Sequence, residues 1–155
     1  MSEEENKKLE FDQREKLDRG FRVFTLAESN VLAWNSSSAK DAEELAKQLD
    51  LNVHHIRAGR TGDDLLHEIL LKSGFPLSTK VQMREISGKS VYSVADGALL
   101  VCLERDLTME LIKALASLKP ERVIFLDEGF SGNDQLKTNA VQTMKGKGVT
   151  SFRTV

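Results

Sequence analysis

The sequence predicts an α/β domain: a small, mainly parallel sheet formed by a C-terminal β-α-β-α-β run, extended by a β-hairpin, with helices packed on the sheet in two or three layers. Three observations predict it. Residues 98–103 (ALLVCL) and 122–126 (RVIFL) are short, nearly continuous apolar runs, the pattern of strands buried on both faces. Each is followed by a stretch with helical apolar spacing, long enough to return the chain to a parallel strand. Just before them, two alternating stretches flank Ser87-Gly88-Lys89, which reads as a hairpin.

Taken in chain order, residues 1–18 are almost wholly charged or polar, with Leu9, Phe11 and Leu17 the large apolar exceptions. They read as a charged lead-in or frayed helix ahead of a single domain over 19–155. Residues 21–26 alternate and are rich in aromatics, which predicts a strand. Residues 29–34 read as a loop anchored in the core by Val31, Leu32 and Trp34. Ser38 or Asp41 is placed to cap a helix to about residue 49, with Ala42, Leu45, Ala46 and Leu49 on one face. Thr61 opens the next helix as its N-cap, Asp63 and Asp64 suit the positive helix end, and Leu65, Leu66, Ile69 and Leu70 share one face. Gly74 stops it and Pro76 prevents continuation.

The hairpin strands are 81–86 and 90–94, and Asp96-Gly97 forms a second tight turn into the run at 98–103. Thr108 caps a helix to about residue 118, with Leu111, Ile112, Leu115 and Leu118 inward, and Pro120 follows. After the strand at 122–126, Asn133 or Asp134 opens the last helix, with Leu136, Ala140, Val141 and Met144 inward. Gly146 and Gly148 end it, and residues 151–155 form the final strand.

The chain has 155 residues, 40% hydrophobic and 30% charged, enough for one domain with a real core and inconsistent with disorder. Its formal net charge of -2 excludes a global pull onto nucleic acid, so any DNA contact needs a local patch. One cysteine, Cys102, leaves no intrachain disulfide and suits a reducing cytoplasm. The longest apolar runs are far too short to span a bilayer, and the acidic N-terminus lacks the apolar region of a signal peptide. No membrane association is expected.

Several positions invite a functional reading, each beside a plainer one. The loop 127–134 joins a predicted parallel strand to a helix N-terminus, where ligands bind in open α/β sheets. Gly129 and Gly132 free its backbone, and Asn133 and Asp134 stand at the helix start, so the loop is a candidate anion or ligand site. Against this, Asp127, Glu128 and Asp134 repel an anion, and the glycine spacing is neither a P-loop nor a dinucleotide fingerprint. A turn with a helix cap is the stronger reading. Lys137, Lys145, Lys147 and Arg153 make the last stretch basic, with Lys113, Lys119 and Arg122 as additions. They are candidate DNA phosphate contacts, although a solvated face explains them more simply. His54, His55 and His67 lack zinc-site spacing, and Cys102 in an apolar strand behaves as a small hydrophobe. The face at 65–71 reads as core, one side of which would suit an interface in an oligomer.

Four stretches resemble type III restriction–modification systems, specifically the C-terminal domain of the modification (DNA adenine methyltransferase) subunit. Residues 20–30 (GFRVFTLAESN) resemble its GFRVFKLDxSN segment, and 61–74 (TGDDLLHEILLKSG) its TExDLLxEILLKxG helix. Residues 88–94 (GKSVYSV) resemble GKxVYSV, and the tail from Phe130 to Val155 resembles the GNDQLKTNAVQxxKxxGVxxFRTV ending. The matches keep one order and span nearly everything from residue 20 on. The resemblance implies a full-length parent that methylates adenine N6 in DNA with S-adenosylmethionine. The family's Asp-Pro-Pro-Tyr-type tetrapeptide and Phe-x-Gly-x-Gly-type loop do not occur here, and the two prolines, Pro76 and Pro120, are not adjacent. By itself the chain is therefore expected not to be an enzyme, and no catalytic, cofactor-binding or metal residue is assigned in it.

The expected role is assembly: contact with the remainder of the modification subunit, its homodimer mate and the restriction subunit, with DNA reached through the full complex. The alternatives are sequence-independent contact with the DNA backbone, marked by binding that collapses with salt, and a small-ligand module using loop 127–134.

Overall fold

A computed structural model describes residues 20–32, 56–130 and 132–155. The expected lead-in at 1–18, the helix over 41–49, the Trp34 anchor, His54 and His55 lie outside the described residues.

The described elements run α1 (Gly62–Lys72), β1 (Val81–Ile86), β2 (Lys89–Val94), β3 (Leu99–Cys102), α2 (Met109–Ser117), β4 (Arg122–Phe125), α3 (Asp134–Gly146) and β5 (Ser151–Thr154). The five strands lie side by side in sequence order. β1–β2 and β2–β3 are antiparallel, whereas β3–β4 and β4–β5 are parallel. The α/β class and the β-α-β-α-β run stand, but the sheet is mixed rather than mainly parallel. The reason lies in the connections. Tight turns at Ser87-Gly88 and Ala95–Gly97 can only reverse the chain, and only α2 and α3 are long enough to bring it back parallel.

Alternation along the central strands builds two cores. Leu100, Cys102, Val123 and Phe125 face α2 and α3, joined by Leu111, Ile112, Leu115, Ala140 and Met144. Leu99, Val101 and Ile124 face the other way, onto Leu66, Ile69 and Leu70 of α1. Among the described residues the sheet is thus the middle of three layers, with α2 and α3 on one face and α1 on the other. The Ser93 hydroxyl is buried in β2 without a hydrogen-bond partner among the described residues.

Local chemistry sets the helix ends. Thr61 and Asp64 form a reciprocal capping box at α1, and Thr108 caps α2 through the Leu111 N–H. α1 and α3 close alike. Gly74 and Gly148 take positive φ, and the next residues, Phe75 and Val149, donate back to Leu70 O at 2.9 Å and Met144 O at 3.0 Å. Phe75 and Val149 then join the same cores as the residues they bond.

Five local expectations are corrected. Residues 21–26 form no strand: they run irregular and exposed, because alternation supplies β-propensity but no neighbouring strand pairs with them among the described residues. The anchor of the following loop is Asn30, 7% exposed, while Leu32 is exposed. Leu118 is also exposed, since it is the C-cap of α2 and lies past the inward stripe, which Ala116 completes. On α3 the buried stripe is Ala140 and Met144 with Leu136 beside it, leaving Val141 on the solvent flank. The hairpin turn holds two residues, Ser87 and Gly88, both at positive φ, so Lys89 already pairs with Ile86.

Candidate functional site

The polar flank of α1 holds the segment that precedes it by three dozen residues. With Leu65, Leu66, Ile69 and Leu70 turned inward, Asp64 and Glu68 are left along one side of the helix. Residues 28–30 lie against that side. The Ser29 hydroxyl donates to Glu68 Oε1 at 2.5 Å, the Asn30 N–H to Glu68 Oε2 at 2.7 Å, and the Asn30 amide Nδ2 to the Asp64 carbonyl at 2.9 Å. Lys72 completes the cluster at 2.7 Å from Glu68. From the other side, Arg57 donates its backbone N–H to Asn30 O at 2.8 Å and its Nε to Ser29 O at 2.9 Å, and pairs with Glu28 at 3.2 Å. A three-residue peptide is therefore clamped between α1 and the segment at 56–60.

Burial by itself would raise the Glu68 pKa. The hydrogen bonds from Lys72, Ser29 and the Asn30 N–H, with the Lys72 charge, outweigh it and bring the carboxyl from its ordinary 4.5 down to about 2. A lowered folded-state value means the clamp contributes fully above about pH 4.5 and is lost as pH falls through about 2. Glu68→Gln is expected to weaken the clamp by about 1.5–3 kcal/mol, the range for hydrogen bonds to a charged group. Amide exchange at Asn30 reads this directly: the substitution lowers the protection factor at neutral pH and removes the further loss of protection on acidification, whereas unchanged protection contradicts the clamp.

Beyond the clamp, the chain carries an apolar ribbon. Phe21 is 88% exposed and Val23 77%, and Leu26 is fully exposed. Val23, Phe24 and Leu26 border a shallow depression of about 370 Å³ with Leu71 of α1, itself 57% exposed. Phe24 rests on the His67 ring at 4.9 Å. The α1 face read from sequence as core with an interface side divides accordingly: 65, 66, 69 and 70 are core, and Leu71 borders the ribbon.

In the loop at 127–134 the described residues, 127–130 and 132–134, form a turn and a helix cap. Asp127–Phe130 forms a single 3-10 turn. Gly129 is buried, and a Cβ there would stand 2.4 Å from the Glu104 carbonyl oxygen, so close packing requires the glycine. Gly132 sits in open space at φ +69°. The Asn133 side chain accepts the Leu136 N–H at 2.9 Å, and Asp134 lies in the first turn of α3. Lys137 reaches back to Asp127 at 2.5 Å.

The basic residues of the C-terminal stretch are not brought together. Lys137 stands near the start of α3 and Lys145 in its last turn, about 12 Å further at 1.5 Å per residue. Lys147 is the C-cap. Phe152 packs on the α2–α3 side, so alternation turns Arg153 to the opposite face of the sheet. There it lines a groove of about 420 Å³ with Ile69, Lys72, Arg122, Ile124 and Ser151. Lys72 is the member that sequence reasoning missed, since nothing local links α1 to β5. The alternation around Phe152 is the signal that separates Arg153 from the α3 lysines.

Cys102 is fully buried and burial pushes its thiol up, in keeping with a small core residue. Among the described residues no cluster of three or more His, Cys, Asp or Glu could hold a metal ion, and no helix is long and apolar enough to cross a membrane. No protein-family model matches the chain, and no curated protein does either.

Proposed function

We propose that this chain is a non-catalytic assembly domain from the modification subunit of a type III restriction–modification system, and that it docks the restriction subunit in the cytoplasm. In this reading the S-adenosylmethionine site and the adenine-methylating centre belong to the rest of the parent subunit. The observation that carries it is the clamped apolar ribbon. Large exposed apolar side chains grouped on an anchored segment are what a protein interface uses, and they are costly to leave in water. Two stretches that carry the family resemblance, 20–30 and 61–74, meet at this place through Ser29, Asn30 and Glu68.

The test is the light-scattering mass of the chain, alone and mixed with purified restriction subunit. A stable mixed species supports docking. A self-dimer alone shifts the role to pairing of modification subunits, and a monomer in both samples overturns the assembly reading.

A further inference from the structure

The sheet is covered unequally, and the less covered face carries a second surface. α1 packs on Val94, Leu99, Val101 and Ile124, which belong to β2, β3 and β4 or border them. Beside it, over β4 and β5, the sheet face stays open as the groove of about 420 Å³, a volume in the range of small-molecule sites. Ile124 floors it, Ile69 and Lys72 of α1 form one wall, and Ser151 and Arg153 of β5 form the other. No lining side chain is acidic, and three of them, Lys72, Arg122 and Arg153, are cationic.

The three cations are not equally committed. Lys72 is held by Glu68 at 2.7 Å. Arg122 gives one guanidinium hydrogen bond to the Ser73 carbonyl at 3.2 Å and lies 3.9 Å from the exposed Glu121. Arg153 is exposed, its backbone belongs to the β4–β5 ladder, and its guanidinium makes no hydrogen bond or ion pair among the described residues. Its planar fork matches the paired oxygens of a phosphate, and the Arg122 guanidinium and Ser151 stand on the same groove as further donors. An acidic protein with net charge -2 thus gathers three cationic side chains in one concave place, and of these Arg153 has no acidic partner among the described residues.

We propose that this groove binds a phosphate group, with Arg153 as the principal contact and Arg122 and Ser151 as supports. The phosphate comes either from a nucleic-acid backbone or from a free nucleotide. The site is separate from the apolar ribbon and does not depend on the docking role.

The test titrates isotope-labelled protein with a short DNA duplex and, separately, with inorganic phosphate and ADP, following the amide signals. Shifts centred on Lys72, Ser151 and Arg153 are expected, with Lys145 on the opposite face unmoved. For the duplex, two or three phosphate contacts give a slope of log K against log salt of roughly -2 to -3. Arg153→Gln is expected to reduce that slope by about 1, and Lys145→Gln to leave it unchanged. Duplex binding without a response to the small anions assigns the site to a nucleic-acid backbone. A response to ADP or phosphate that Arg153→Gln removes, without duplex binding, assigns it to a free ligand. Silence of the groove signals with every probe overturns the proposal, as does duplex binding that Lys145→Gln weakens and Arg153→Gln does not.

Discussion

Gly129→Ala is expected to lower stability by about 2–3 kcal/mol, the upper range for forcing extra volume into a packed site. The added methyl would meet the Glu104 carbonyl oxygen at 2.4 Å and the Leu107 side chain at 2.9 Å. The first of these is backbone and cannot rotate away. Relief requires the 127–130 turn to move off the segment at 104–107, which breaks the hydrogen bond from Leu107 N–H to Gly129 O at 3.0 Å. In thermal unfolding this amounts to a fall in Tm of roughly 5–10 °C for a domain of this size. Gly132→Ala is the control. It meets no atom, so only its positive φ resists the substitution, at a cost of about 1–2 kcal/mol. A Gly129→Ala protein as stable as the parent would show that the glycine answers to something other than packing, and would return loop 127–134 to consideration as a ligand site.

Phe125→Ala is expected to have the larger effect, about 3–5 kcal/mol, as for other fully buried aromatics cut back to a methyl. Phe125 closes β4 in register with Cys102 on one side and Thr154 on the other. Its ring packs edge-on to Phe130 at 5.9 Å and tilted on Phe152 at 5.7 Å. One side chain therefore ties the central strand to the 127–130 turn and to the last strand. Urea unfolding followed by circular dichroism measures the loss. A shift below about 1.5 kcal/mol, the size expected when a core repacks around a volume-conserving change, would mean that the three rings are not the keystone described.

What could be read from the residues was what local chemistry decides. The caps at Thr61, Thr108 and Asn133 and the stops at Gly74 and Gly148 lie within one helical turn of the ends they set, and so were legible. The apolar runs at 98–103 and 122–126 announced buried strands for the same reason. Parallel or antiparallel pairing of the whole sheet was harder, because a short turn and a long crossover weigh equally in a list of strands but differ in direction. The ribbon at 21–26 shows the opposite failure. Its alternation mimics a strand, yet its order comes from Ser29 and Asn30 meeting Glu68, a contact spanning 38 residues between Asn30 and Glu68 that no periodicity reveals. The cationic groove joins Lys72 to Arg153 across a still longer separation, and there the α3 lysines nearest in sequence were the wrong companions.

The most direct test of the docking role is hydrogen exchange of the chain with and without the restriction subunit. Docking through the ribbon slows exchange over residues 21–26 and around Leu71 and leaves the α2–α3 face unchanged. A complex whose protection falls elsewhere and leaves 21–26 exchanging freely would contradict it.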